Sequence, residues 1–254
     1  MGAVNQPTEV WGGPASRRWD TGRVNLPDPF RPSTWPARDL VTASIGMDPD
    51  FILRAYARGL FPMPMGYGAI GWFSPVRRGI LPLDGLRVSR SLRKTAKRYS
   101  ITVDTAFDEV VDRCGDPDRA HGWIDDSIRL NYGELHRGGH AHSIEARDAD
   151  GHLVGGLYGI NIGGLFAGES MFHDPERGRD ASKAALIALV GLLTRDGVEG
   201  RLLDVQWRTD HLATLGVIEV PRDDYLARLK VALTLPEPEW PPAPTPVIRG
   251  RVSD

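Results

Sequence analysis

HAHSIEAR (140–147), HLVGGLYGI (152–160) and LFAGESMF (165–172) decide the fold of this chain. They are three extended, apolar-rich runs separated by two short breaks, a turn at Asp150–Gly151 and another at Gly163–Gly164. Strands joined by connections this tight return on themselves, so the region reads as an antiparallel meander. On its C-terminal side an apolar helix is expected from Ala181 to Thr194. The strand RLLDVQW (201–207), a short helix from Thr209 or Asp210 to Leu215, and a last helix at about 222–233 follow it.

The same reading extends towards the N-terminus. A helix over about 126–137 carries Ile128, Tyr132 and Leu135 on one face, with Gly138 closing it. Before it lie a short strand, ITV (101–103), and a helix through Phe107, Val110 and Val111 with Asp104 as its expected cap. LRVSRSLRKTAKRY (86–99) reads as a short strand running into a basic helix capped by Ser89 or Ser91. The first helix starts with Asp48 as cap and Pro49 in the first turn, and Gly59 ends it in the left-handed conformation. FPMPMGYGAIGWFSP (61–75) reads as a Pro-rich loop. The fold class is therefore α+β, mostly antiparallel strands with helices packed on them.

Residues 1–33 and 236–254 are rich in Pro and Gly and carry no apolar period, so both are expected to be tails. Of the 254 residues, 41% are hydrophobic and 25% charged, which suits a soluble globular domain. No apolar run approaches the roughly 20 residues that span a bilayer, and the N-terminus lacks a signal-peptide pattern. A cytoplasmic location without membrane attachment is expected. The single cysteine, Cys114, excludes an internal disulfide and a Cys-rich zinc site, and reads as a buried small hydrophobe. A net charge of −2 excludes a polycation, so any nucleic-acid contact must be local.

Four stretches have the residue types for chemistry. Arg87, Arg90, Arg93, Lys94, Lys97 and Arg98 crowd twelve residues, and on a helix five of them share one side, suiting either a phosphate backbone or plain solvent. His140 and His142 share a strand face, but Glu145 falls on the other, so zinc would need another ligand; packed histidines are the competing reading. Glu169 lies in an otherwise apolar strand, where a carboxylate needs a partner such as Arg147 or a substrate ammonium. In LLDVQ (202–206) alternation puts Asp204 and Gln206 on one face, either as a proton acceptor with a positioning carboxamide or as a polar pair serving a loop.

Together these stretches resemble the leucyl/phenylalanyl-tRNA–protein transferases. The matching strings are YARGLFP (56–62), WFSP (72–75), SRSLRK (89–94), GHAHSIE (139–145), GGLYG (155–159), GESMF (168–172), ASKAAL (181–186), LLDVQ (202–206), and HLATLG with PRDDYL within 211–226. The resemblance implies a small N-terminal domain (34–76) and an acetyltransferase-like (GNAT-related) catalytic domain (77–235). It implies transfer of Leu or Phe, with Met as a further donor, from aminoacyl-tRNA to the N-terminal Lys or Arg of a protein, marking it for N-end rule degradation. No cofactor or metal is expected, and a monomer is.

By the same resemblance Asp204, Gln206 and Glu169 stand at the reacting centre. Leu157, Phe166, Leu186, Leu189 and Leu203 would line the pocket for the transferred side chain. Trp72, Phe73 and Trp123 would lie near the terminal adenosine, and the six cations at 87–98 would hold acceptor-stem phosphates. The chain departs from the family pattern at Met63, where Trp is usual, in the longer loop 173–180 ending in Asp180 for Asn, and at Thr209 for Asn. Two competing functions are a CoA-dependent N-acyltransferase, for which ERGRDAS (176–182) is a poor pyrophosphate loop, and a non-catalytic tRNA-binding module.

Overall fold

The computed structural model describes residues 31–116 and 124–241. Leu40–Ile45 forms β1 and Pro49–Tyr56 forms α1; Asp48 caps the helix by accepting from the Phe51 amide at 2.8 Å, and Gly59 has a φ of +86°. The stretch expected to be a Pro-rich loop is instead a hairpin, β2 (Phe61–Gly66) and β3 (Ala69–Phe73), which pairs with β1 in the order β1-β3-β2. Pro62 and Pro64 are tolerated because β2 is an edge strand, where the missing N–H groups need not interrupt a ladder.

The main sheet has seven strands in the order β10-β4-β9-β8-β7-β6-β5. In chain order, β4 (Arg77–Leu81) precedes α2 (Arg90–Ala96), β5 (Ser100–Val103), α3 (Phe107–Cys114) and α4 (Asp126–Arg137). The meander follows as β6 (Ala141–Arg147), β7 (Leu153–Ile162) and β8 (Leu165–His173). Then come α5 (Ala181–Thr194), β9 (Leu202–Gln206), α6 (Asp210–Thr214), β10 (Ile218–Pro221) and α7 (Arg222–Ala232). Every pair is antiparallel except β8 with β9, the two strands that α5 connects. The expected α+β class, with a mainly antiparallel sheet, is the observed one.

Two local expectations change. Residues 86–88 form no strand, and Ser89 caps α2 by accepting from the Leu92 amide. Asp104 does not cap α3; it adopts a φ of +56° and turns its carboxylate onto the Ser143 amide and the His142 ring.

Helices α3 and α4 share one apolar cluster with α1 and the small sheet, including Ile52, Tyr56, Trp72, Val110, Ile128, Tyr132 and Tyr158. Helices α2 and α5 share a second, with Leu92, Leu157, Phe166, Leu186, Leu189 and Leu203. Helix α7 packs over β4, β9 and β10 through Tyr225 and Leu229. Apolar around much of its circumference, α5 buries nine residues. Cys114 is buried, as its position in α3 predicts.

The stretch 236–241 lacks regular structure but is held to the body. Arg201 donates to the carbonyls of Pro236 and Glu237, and Trp240 stacks on His142 with ring centroids 3.9 Å apart. The rest of the two expected tails, residues 1–30 and 242–254, lies outside the described residues.

Candidate active site

The cleft arises because β8 and β9 separate. They pair through only three positions, ending at Ala167 opposite Asp204, although β8 continues to His173 and β9 to Gln206. Beyond that point Gly168–Met171 form one wall, and Val205 and Gln206 belong to the other. The resulting cavity has a volume of about 280 Å³. Its apolar lining comes from Leu81, Leu157, Leu186, Leu189, Leu203 and Leu212, among others, and its polar edge from Glu169, Ser170, Gln206, Thr209 and His211.

A β-bulge aims each of the two central polar groups. On β8 the register passes from Tyr158 opposite Ser170 to Gly159 opposite Gly168, leaving Glu169 as the extra residue. On β9 it passes from Ile80 opposite Asp204 to Gly79 opposite Gln206, leaving Val205 extra, and Gln206 takes a φ of +58°. Bulges of this kind bend a strand and redirect side chains beside functional sites. A glycine faces each one. A Cβ on Gly79 would lie 2.8 Å from the Arg208 amide nitrogen, and one on Gly159 would clash with the Ala167 carbonyl and the Phe166 ring.

The bulge corrects the face assignment read from LLDVQ. Leu203, Val205 and Gln206 line the cavity, whereas Asp204 does not. Asp204 is wholly buried and saturated with donors. Arg78 grips it bidentately, Nε to Oδ1 at 2.8 Å and Nη2 to Oδ2 at 2.6 Å, and the Tyr225 hydroxyl donates at 2.9 Å. The Gln206 amide nitrogen donates to Oδ1 at 2.9 Å, so Asp204 fixes the backbone that presents Gln206. With four donors and no opening to the cavity, it has no free lone pair to receive a substrate proton. Arg78 is sandwiched between the rings of Phe61 and Tyr225, 4.7 and 4.4 Å from its guanidinium, and reaches the Gly59 carbonyl. The side-chain nitrogen of Gln206 is buried without a partner among the described residues, an unspent donor in a residue that lines the cavity.

Neither Arg147 nor any other cation partners Glu169 by direct contact among the described residues. Its Oε1 accepts from the Tyr56 hydroxyl at 2.6 Å and its Oε2 from Tyr132 at 3.3 Å, and the two hydroxyls are 2.8 Å apart. Desolvation pushes its pKa up to about 8; the Tyr56 hydrogen bond opposes this and the Asp204 charge adds to it. Burial, reinforced by Glu169, also raises both tyrosines well above their ordinary value, so they remain protonated donors. Near neutral pH Glu169 is therefore largely uncharged.

A carboxyl that holds its proton more tightly folded than unfolded makes stability fall as pH rises through the interval between the two pKa values. Here that interval runs from about 4.5 to about 8. Glu169→Gln should therefore melt close to the unsubstituted protein at pH 5 and several degrees above it at pH 8.5, measured by thermal unfolding across pH. Parallel curves would show that burial does not retain this proton.

Leu157, Leu186, Leu189 and Leu203 line the cavity as expected, but Phe166 does not; it is buried in the core beside Trp240. Trp72 is 1% exposed, its Nε1 donating to Ser44 Oγ and its ring edge-on to Phe51, so no nucleobase can reach it. Phe73 packs with Phe61 and Trp207, partly buried, and Trp123 lies outside the described residues. Among the described residues, no group of three possible metal ligands includes His140 or His142. His142 Nδ1 sits 2.7 Å from Asp104 under the Trp240 ring, and Glu145 is bound by Thr102, Thr105 and Ser143.

Of the basic cluster, Arg87, Arg90, Lys94, Lys97 and Arg98 are exposed and Arg93 is half-buried. Helix α2 ends at Ala96, so Lys97 and Arg98 occupy the turn after it, and none of the six forms an ion pair among the described residues. The segment packs beside the cavity: α2 lies against α5, and the Arg87 amide donates to the Leu215 carbonyl, between the cavity residues Leu212 and Val217. Sequence reasoning missed Arg78, Tyr225, Tyr56 and Tyr132. The only available signal was the general need of a buried Asp or Glu for donors.

The apolar recess edged by the Gln206 carboxamide and the Glu169 carboxyl, where the parallel pair β8 and β9 parts, is the candidate active site. Family models match most of the chain, so it belongs to the leucyl/phenylalanyl-tRNA–protein transferase family and is an aminoacyltransferase. The family's "Leucyl/phenylalanyl-tRNA protein transferase" model matches residues 80–230 and its N-terminal domain model residues 47–76.

Relatives carrying the name leucyl/phenylalanyl-tRNA–protein transferase are 52% identical in Rhizorhabdus wittichii, over 74% of this chain and 75% of that one, and 48% in Afipia carboxidovorans, over 77% and 86%. A third, from Gluconobacter oxydans, is 47% identical over 76% and 85%. A solved structure of L-PGS from Bacillus licheniformis aligns with a TM-score of 0.37 at 13% identity, covering 68% of this chain and 57% of that one, too distant to carry weight.

Proposed function

We propose that the protein moves leucine or phenylalanine from its tRNA to the α-amine of an acceptor protein beginning with Arg or Lys, acting as a cytoplasmic monomer. The observation that carries this reading is the cavity itself. Its leucine-lined recess suits an aliphatic or benzyl side chain, and the presence of Gln206 and Glu169 on its polar edge supports a reaction there between the ester carbonyl and the incoming amine.

The reaction is aminolysis of an ester that is already activated, so alignment carries most of the catalysis. In this scheme Gln206 donates to the reacting ester or receives the amine's hydrogen bond, Glu169 meets an amino group, and Asp204 acts as a positioning residue through the Gln206 backbone. The exposed cations Arg87, Arg90, Lys94, Lys97 and Arg98, with Arg93, hold acceptor-stem phosphates beside the cavity. The N-terminal unit ends near Val76–Arg77, between β3 and β4.

Incubation with radiolabelled Leu-tRNA and a protein starting with Arg should place label in that protein, and an otherwise identical protein starting with Asp should stay unlabelled. Absence of label with Leu-, Phe- and Met-tRNA alike would refute the reading.

A further inference from the structure

The reaction moves one proton, and none of Asp204, Gln206 and Glu169 is suited to carry it. The attacking amine must lose a proton as the C–N bond forms, and the ribose oxygen must gain one as the C–O bond breaks. Asp204 has its lone pairs committed to four donors. Gln206 carries a carboxamide, which is not a base at neutral pH, and the carboxyl of Glu169 is pinned by two tyrosines on the β8 side. Among the residues lining the cavity, one other side chain titrates in the neutral range: His211.

His211 stands on the opposite wall from Glu169. It belongs to α6, which follows β9 directly, and it lines the cavity with Gln206 and Thr209. Its backbone is fixed by Thr209 Oγ1, which caps the helix at the Leu212 amide, and by Thr214 Oγ1 donating to its own carbonyl at 2.6 Å. The ring is exposed at the rim and makes no hydrogen bond or ion pair among the described residues. The groups facing it are Lys183 from α5, His173 at the end of β8 and Asp180 before α5, with Asp210 preceding it in the chain. Burial, then Lys183 and His173, hold its pKa below the ordinary histidine value, against a smaller contribution from Asp180. On the proposed reading, a side chain seated in the leucine recess would leave the ester at the polar edge that Glu169, Gln206 and His211 share.

Resting on the proposed transfer reaction, we propose that His211 carries the proton from the attacking α-amine to the departing ribose oxygen. The neutral amine adds to the ester carbonyl, forming the C–N bond. The resulting cationic nitrogen gives one proton to the imidazole. The C–O bond then breaks and the imidazolium protonates the ribose 3′-oxygen, restoring neutral His211.

The test is the pH dependence of transfer from Leu-tRNA to an Arg-initiated peptide, followed as kcat/KM for the peptide. Two acid limbs are expected in the unsubstituted protein, one from the peptide amine at about 7.7–8 and one below about 6.5 from His211. His211→Gln should retain only the first and fall about 100-fold in rate, with Leu-tRNA affinity within twofold by filter binding. In His211→Ala, added imidazole should restore part of the loss. A Gln variant that keeps both limbs and its rate overturns the proposal, as does one whose slowing is matched by lost tRNA affinity. If the unsubstituted protein transfers no label at all, the function reading fails instead.

Discussion

Arg78→Met is expected to lower the free energy of unfolding by about 3–5 kcal/mol, because it strands a buried carboxylate. Asp204 and Arg78 are both inaccessible to solvent, so water cannot replace the lost guanidinium. The loss is not confined to one pair. Arg78 ties β4 to β9 through Asp204, to the turn after α1 through the Gly59 carbonyl, and stacks against Tyr225 of α7. Thermal unfolding should show a fall of about 10 °C. Transfer should drop further than stability explains at a temperature where the variant is folded, because Asp204 would no longer hold the Gln206 backbone. Arg78→Met with Asp204→Leu should recover most of the melting temperature, since paired removal leaves no orphan charge, yet should not recover transfer. A single variant that melts within a degree of the parent would show that the pair contributes little to the fold.

That pair also marks where the sequence stops being informative. The apolar helix Ala181–Thr194 and the three strands of the meander were readable because each keeps one period over many residues and ends at recognisable turn or cap residues. The small N-terminal sheet was not, since two prolines in β2 argue against a strand until its place at the sheet edge is known. The residue types of the cavity were legible, their directions only partly. Alternation put Asp204 beside Gln206 and left Glu169 in need of a partner, but bulges at Val205 and Glu169 broke the period of two where the chemistry is placed. Nor can spacing pick Arg78 out of 31 basic residues, because its partner lies 126 positions away. Trp72 misled for the opposite reason: an aromatic in a motif looks like a stacking platform until its burial is seen.

The second large effect concerns affinity. Arg90, Lys94 and Lys97 are exposed, lie on or immediately after α2, and have no acidic partner among the described residues. Cations with no internal partner contribute little to folding, so replacing all three by Glu should move the melting temperature by no more than a few degrees. If they meet phosphates, each contact releases counterions, and the slope of log affinity against log salt should fall by about 0.9 per contact, close to 3 units for the triple variant. Reversal adds repulsion to that loss, so the Kd for Leu-tRNA should rise roughly 100- to 1000-fold at 50 mM salt, with a smaller gap at 200 mM. Transfer at saturating tRNA should be nearly unchanged, because the cavity, Asp204 and Gln206 are untouched. Arg93 is left in place because it is half-buried, and changing it would mix packing with charge. Filter binding across a salt series separates the alternatives. An unchanged slope would mean that the basic segment is a solvated surface, and that the acceptor stem is held elsewhere.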